Sequence, residues 1–356
     1  MTVGISHMTD ELLGKIFHHL CGRGPLSLRH LLFVSRRFYS VTVNNAHLWT
    51  TISLDYFFFH HFQQWSEQGN RFVEHCLFRS GLLPLCLYID FSDMNVDDST
   101  LFLPPLETFG KPEWIGFQRC TTLIWNANGR STQAIQGFMD LIPKRLISLK
   151  IISLTNFIDP IGESQFPNCP VLERVEFLHH QRPSPHFWGT TFLRVTTLSF
   201  GYNTSYASFN LAMLSLFPVL RDLTLFALKP VTDLLFVDSI RSINFRHLHI
   251  LRAHGCIPPE VLTRLVAPAL EEVRITANAH NRTSIDTLQT SFNPLCLDIH
   301  ALLPRAVATE EPEWAVNLSK LVQKCTRIRS VYISRWMEEE CRKFMSGQQA
   351  VLRVEE

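Results

Sequence analysis

The chain has 356 residues, 46% of them hydrophobic, with 33 basic and 32 acidic side chains and a formal net charge of +1. That size and apolar content suit one large domain with a small one, or a repeat array. The balanced charge argues against a phosphate-dominated nucleic-acid binder. The nine cysteines, an odd number without tight pairs, read as reduced thiols. The N-terminus MTVGISHMTDELL shows no basic stretch leading into an apolar core. No apolar run approaches the ~20 residues of a membrane span. No membrane partner is therefore expected, and the expected location is the cytoplasm or nucleus. On that view the sequons at Asn203, Asn281 and Asn317 are coincidental.

Residues 8–54 open with Asp10 and Glu11, acidic side chains suited to the first turn of a helix. Leu12, Leu13, Ile16, Phe17 and Leu20 follow at helical spacing. Gly22 and Gly24 break that helix, and Pro25 suits the start of a second one. The second helix is expected to carry Leu28, Leu31, Leu32, Ser35 and Phe38 on one face. A short third segment holds Leu48, Trp49 and Ile52. Three helices in so few residues carry more large apolar side chains than one internal seam uses, so part of the surface must be covered by the rest of the chain or by a partner.

This stretch resembles an F-box. The family pattern runs roughly LPxELLxxIFxxL, then VCRRW, then LWxxI. Here the matching residues are Met8-Thr9-Asp10-Glu11-Leu12-Leu13, Ile16-Phe17, Leu20, Val34-Ser35-Arg36-Arg37-Phe38 and Leu48-Trp49-Thr50-Thr51-Ile52. Met8 stands for the usual Leu, Thr9 for the usual Pro, and Ser35-Arg36-Arg37-Phe38 for Cys-Arg-Arg-Trp. The resemblance implies docking onto a Skp-type adaptor, and through it a cullin–RING ubiquitin ligase. The residues it assigns to that contact are Met8, Leu12, Leu13, Ile16, Phe17, Leu20, Leu31, Leu32, Ser35, Phe38 and Trp49.

Residues 55–80 are expected to form a helical linker, interrupted at Gly69-Asn70 and ended by Gly81. The following phrase Arg79-Ser80-Gly81-Leu82-Leu83-Pro84-Leu85 resembles the junction in many fungal F-box-like proteins. Beyond it the pattern L-x-x-L-x-L, with any apolar residue allowed, begins at Leu82, Cys120, Leu146, Leu172, Val195, Leu220, Leu248, Leu270 and Ile328. From Cys120 to Leu270 the steps are 26, 26, 23, 25, 28 and 22 residues, within the ~20–29 of leucine-rich repeats. The longer step to Ile328 leaves room for a degenerate copy near Leu295–Ile299. Asn128, Asn203, Cys256 and Asn278 fall where a repeat turns its backbone away from the strand. Helices are expected at 132–142, 231–243, 259–266 and 312–325, with a capping helix from Trp336 to Phe344. Looped insertions are expected at 91–116 and 157–168, with a frayed tail after Gly347.

The expected fold is α/β: an F-box-like domain over 1–54, a helical linker over 55–80, and an irregular leucine-rich-repeat solenoid over 81–356 with a parallel sheet on its concave face. The fifth position of each motif is expected to face outward there: Cys86, Ile124, Lys150, Glu176, Ser199, Thr224, Arg252, Arg274 and Tyr332. Lys150, Glu176, Arg252, Arg274 and Tyr332 are the candidate target-binding residues. Arg252 and Arg274 form a basic end that suits an acidic or phosphorylated segment.

No Walker, GxGxxG, HExxH, GxSxG or paired CxxC motif occurs. Adjacent histidines such as His18-His19 diverge on a helix and make no chelate. No catalytic residue, metal or cofactor is assigned. The expected function is a non-catalytic receptor that holds a protein target on its repeats. The alternatives are a repeat scaffold that recruits no ligase, and a hydrolase with a deep pocket of converging titratable groups.

Overall fold

The computed structural model describes residues 7–20, 28–55, 58, 66–90, 103–113, 115–126, 140–142, 144–155, 167–178, 192–202, 211–227, 242–255, 265–278, 296–302, 330–334 and 351–355. The chain is mixed α/β and divides into two compact units, Met1–Leu172 and Glu173–Glu356.

The first unit begins with α1 (Asp10–Leu20), α2 (Leu28–Leu32) and α3 (Arg36–Asn44). Thr9 caps α1: its hydroxyl accepts the Leu12 N–H at 3.3 Å and its carbonyl the Leu13 N–H at 3.0 Å. The expected single second helix is split. Ser35 is extended, and its hydroxyl accepts the Phe38 N–H at 3.1 Å. It therefore starts α3 instead of lying inside a helix. The expected third segment is a 3-10 turn, Ala46–Trp49, that runs into strand β1 (Thr51–Leu54).

Helix α4 (Ser66–Arg79) passes through Gly69 and Asn70 without a break. A single Gly costs a helix interior only about 1 kcal/mol relative to Ala. Gly81 does end it, at φ 57°, with its N–H on the Phe78 carbonyl at 3.2 Å. Strand β2 (Leu85–Asp90) follows. Helices α5 (Leu103–Gly110) and α6 (Gly116–Arg119) then lie where a looped insertion was expected. A Cβ on Gly116 would sit 2.2 Å from the Phe109 carbonyl oxygen, so the site tolerates glycine alone. Strands β3 (Cys120–Asn126) and β4 (Ile151–Thr155) complete a parallel run in the order β1-β2-β3-β4. The expected boundary at residue 54 falls at the end of β1, whose pairing with β2 makes residues 51–54 part of the sheet.

Arg119 locks α4 to this sheet. Its guanidinium is buried and donates to the Leu83 carbonyl at 2.9 and 3.1 Å, to the Leu77 carbonyl at 3.5 Å and to Ser80 Oγ at 2.8 Å. A cation there satisfies the orphan carbonyls at the C-terminal end of α4 and suits its dipole. Burial lowers its pKa, yet an arginine keeps its proton at any ordinary pH.

The second unit carries β5 (Arg174–Leu178), β6 (Thr197–Tyr202), β7 (Asp222–Ala227), β9 (Ile250–Gly255), β11 (Glu272–Asn278), β12 (Cys296–Leu302), β13 (Ser330–Ser334) and β14 (Val351–Glu355), each parallel to the next. A separate short pair joins β8 (Ile243–Asn244) to β10 (Leu265–Val266). These two strands occupy the ends of segments expected to be helical. Strand β12 falls at the expected degenerate copy. Strand β14 falls in the tail expected to fray; its Leu352 pairs with Val331 and its Val354 with Ile333, but it lacks the first Leu of the motif, which hid it. Most of the expected helices, the capping helix, 157–166, Asn128, Asn203 and Cys256 lie outside the described residues.

The strands bury one side. The fourth and sixth motif positions, such as Leu123/Trp125, Val175/Phe177, Leu198/Phe200 and Leu223/Leu225, are all buried. So is a residue three before each first position: Leu146, Cys169, Phe192, Phe217, Phe245 and Ala267. In four of these the carbonyl closes a tight turn, accepting the N–H of Leu172, Leu220, Leu248 and Leu270 at 3.1 to 3.4 Å. Three of those turns place Pro170, Pro218 and Pro268 second, where its fixed φ suits a turn.

This turn residue corrects one register. Leu146 is the turn residue of β4, not its first motif position. Leu149, Ile152 and Leu154 are the core residues, and Ile151 is half-exposed. Ile152 pairs with Leu123 and Leu154 with Trp125. The spacing of three repeats itself in Leu146, Leu149 and Ile152, so two registers fit the letters equally well.

Two outcomes are expected. Ile152→Ala costs about 2–5 kcal/mol in urea denaturation, whereas Ile151→Ala costs about 1 kcal/mol or less. Equal losses would restore the other register. Arg119→Met costs about 2–4 kcal/mol by leaving its buried acceptors unmet, and Arg119→Lys costs less.

Candidate functional site

The N-terminal helices sort their apolar residues into two sets. Leu13, Phe17 and Trp49 point inward and are buried. The Phe17 ring lies 4.9 Å from that of half-buried Phe38. Leu31 and Leu32 are also half-buried, and Ser35 serves as a cap. Met8 offers its carbonyl to Arg37, which also pairs with Asp10 at 2.8 Å and so ties α3 to the start of α1.

The outward set is a stripe at i, i+4, i+8: Leu12 (46% exposed), half-buried Ile16 and Leu20 (65%). Phe33 (80%) and Val34 (60%) in the α2–α3 turn, and Tyr39 on α3, are exposed as well. Of these six apolar residues, Phe33 and Tyr39 lie outside the family pattern, and Val34 lies in it without being assigned to the adaptor contact. Their signal was local: Phe33-Val34 sits just before the Ser35 cap, where the chain leaves one helix for the next.

Trp49 anchors these helices to α4. Its indole N–H donates to the Thr42 carbonyl at 2.9 Å. His75 meets the ring edge-on at 5.4 Å, and the Arg79 guanidinium lies 5.4 Å from its centroid. Arg79 donates to His75 Nε2 at 2.5 Å and to the Val43 carbonyl at 3.0 Å. The first bond needs a lone pair on His75, hence a neutral imidazole. Burial first, and then the Arg79 charge, hold the His75 pKa below 6.5.

The side of the second unit's sheet opposite its buried rows is built from alternate residues, of which Glu176, Ser199 and Arg252 are half-exposed and Thr224 is buried. One register row runs Glu176–Ser199–Thr224–Arg252–Arg274–Asp298–Tyr332–Arg353. It gathers four of the five expected target-binding residues and adds Asp298 and Arg353. Lys150 belongs elsewhere. Its N–H bonds the Thr121 carbonyl at 2.9 Å, as Arg221 bonds Thr196 and His249 bonds Arg221, each at 2.8 Å. That places Lys150 at the second motif position, exposed before β4 begins. Cys86 shifts likewise: Tyr88, not Cys86, aligns with Ile124 and Ser153, because Leu87 and Ile89 take the core register beside Leu123 and Trp125.

The expected basic end is neutralised. Arg252 pairs with Asp222 at 2.5 Å, Arg274 pairs with Glu272, and Arg174 pairs with Glu176 at 2.5 Å. Such half-exposed pairs add about 0–1 kcal/mol each to stability. Their larger effect is on the face's potential.

Burial pushes the thiol pKa of Cys86 up to about 11 and those of Cys120 and Cys169 up to about 12. These thiols carry almost no thiolate at neutral pH. Among the described residues no group of three or more His, Cys, Asp or Glu is placed to hold a metal ion, and no helix is long and apolar enough to cross a membrane. No protein-family model and no curated protein matches the chain.

The Trp49 cluster sets a pH dependence. With its folded pKa below 6.5, His75 contributes stability that is complete above 6.5 and is lost as pH falls toward and through the folded value. The thermal midpoint of the wild type should drop between about pH 7.5 and pH 5.5 more than that of His75→Gln. Parallel curves would remove His75 from the acid response.

Proposed function

We propose that the chain is a substrate-recognition subunit of a Skp–cullin–F-box type ubiquitin ligase, acting in the cytoplasm or nucleus. The observation that carries this is the exposed apolar face Leu12, Ile16, Leu20, Phe33, Val34 and Tyr39 on helices whose other side is already filled. A surface with that many exposed large apolar side chains is suited to a partner. On this reading α1 to α3 are the F-box and their apolar face meets the Skp-type adaptor.

Successive parallel strands, six of them preceded by a buried residue at the same motif position, support a leucine-rich-repeat solenoid whose outward sheet face is concave and holds a target protein. The mechanism is proximity. Ubiquitin transfer is performed by other subunits, and this chain raises the local concentration of its target. It needs no catalytic residue for that. The contacts of Trp49 with His75 and Arg79 tie the N-terminal helices to α4 within the first unit. The same contacts also favour the second reading, a scaffold whose helices pack on their own strands and recruit no ligase.

Co-expression with a Skp-type adaptor, followed by size exclusion, separates the two. The wild type should elute as a one-to-one complex, and Leu12→Asp/Phe33→Asp should elute alone with unchanged circular dichroism. Both positions are exposed, so the change spares the core. A wild type that elutes alone in the presence of adaptor favours the scaffold.

A further inference from the structure

The turn edge of the second unit carries its charges differently from the sheet face. On the strands, Arg174, Arg252 and Arg274 each hold a carboxylate. At the turn end of the β6, β7 and β9 repeats stand Arg194, Arg221 and Arg246, all exposed. Among the described residues, no ion pair or side-chain hydrogen bond engages any of these three. Backbone hydrogen bonds bring them together. The Arg221 N–H bonds the carbonyl of Thr196, just beyond Arg194, and the Arg221 carbonyl accepts the N–H of His249, just beyond Arg246, each at 2.8 Å. Two strand spacings, roughly 10 Å, separate the first of these repeats from the third. Leu193 (68% exposed) and exposed Pro218 hold the same turn position in the first two, so apolar surface lies among the arginines.

Exposed carboxylates bound this patch on both sides. The Glu173 carbonyl accepts the Thr196 N–H, and the Glu271 N–H donates to the His249 carbonyl, so each lies one repeat beyond the arginines. Both side chains are exposed, and Glu271 pairs with His249 Nδ1 at 3.2 Å. A nucleic-acid strand or an anionic bilayer running along this edge would meet Glu173 in one direction and Glu271 in the other. A segment confined to the three arginines avoids both. Three cations on three repeats, not gathered at one point, suit several carboxylates along a chain better than a single phosphate. At 3.3 Å per residue, about three to five extended residues cover the patch.

From this arrangement we infer that the turn edge formed by Leu193, Arg194, Pro218, Arg221 and Arg246 holds a short acidic segment of a partner protein, with its carboxylates on the arginines and an apolar side chain over Leu193 and Pro218. This goes beyond the proposed function and stands whether or not the chain recruits a ligase. It moves the acidic ligand suggested by Arg252 and Arg274 away from the sheet face, where carboxylates already occupy those arginines. The edge is where the described residues leave arginines unpaired.

The test is fluorescence anisotropy of the full chain at low ionic strength with the labelled peptide Glu-Asp-Leu-Asp-Glu. The comparison probes are Gln-Asn-Leu-Asn-Gln, Gln-Asn-Leu-phosphoserine-Gln and a labelled dT oligomer, with phosphatidylserine vesicles in a parallel co-sedimentation. The acidic peptide should bind, and its affinity should fall as salt rises. Arg194→Glu/Arg221→Glu/Arg246→Glu should weaken it about tenfold or more, and Leu193→Asp should weaken it as well. Arg274→Gln, on the sheet face, should bind as the wild type does. All of these positions are exposed, and a thermal melt confirms that each variant is folded. Equal binding of the amide peptide, tighter binding of the phosphoserine form, the oligomer or the vesicles, indifference to the triple variant, or no binding at all would overturn the inference. Leu12→Asp/Phe33→Asp should bind the peptide as the wild type does. Loss of adaptor binding with peptide binding intact therefore defeats the ligase reading alone, and the reverse defeats this one alone.

Discussion

The sheet strands of both units depend on the hydrogen bonding of each strand to a parallel neighbour one motif away. A parallel ladder fixes register residue by residue. Once Leu198 lies beside Leu223, Ser199 must lie beside Thr224. The buried rows and the half-exposed rows are thus two products of one constraint. The tight turns ahead of the strands feed the same ladder: the second motif residue donates to the carbonyl at the same position one repeat earlier. A change in one repeat's register would move its core residues outward and its surface residues inward.

The N-terminal helices obey a different constraint. They are too short to bury all of their apolar side chains against one another. Leu13, Phe17 and Trp49 fill the inside, and Trp49 spends its second face on His75 and Arg79. What remains, from Leu12 to Tyr39, has no cover among the described residues of the chain. The proposed adaptor contact is the complement of that packing: the residues left over once the core is full. Buried members of the family pattern such as Leu13 and Phe17 shape this surface from beneath.

The sheet face shows why single residues mislead about electrostatics. Arg252 and Arg274 stand side by side in register and, taken alone, form a basic patch. Asp222 lies 30 residues from Arg252 in sequence, and a parallel ladder brings the two together. Pairing across strands turns a cationic end into a neutral surface. Spacing along one strand could have revealed Glu272 beside Arg274, since the two are separated by a single residue and share a face. The Asp222 partner had no such local sign.

Local periodicity was enough to reveal α1, the Gly81 stop, the parallel strands of most motifs and the row Glu176–Ser199–Thr224–Arg252–Arg274. Each of those depends on residues within one turn or one strand. The register of β4 and β2, the turn residues Phe192, Phe217 and Phe245 as core members, the strand β14, and the closure of Arg119 onto the end of α4 needed the tertiary structure. In each of these cases the deciding partner lies on a neighbouring repeat or helix, 20 residues or more away. Hydrogen bonding and burial there choose between alternatives that the letters leave equal. The sequence by itself determined which residues are apolar and how often they recur; the fold decided which of them face inward, because only a neighbouring strand supplies the other half of each contact.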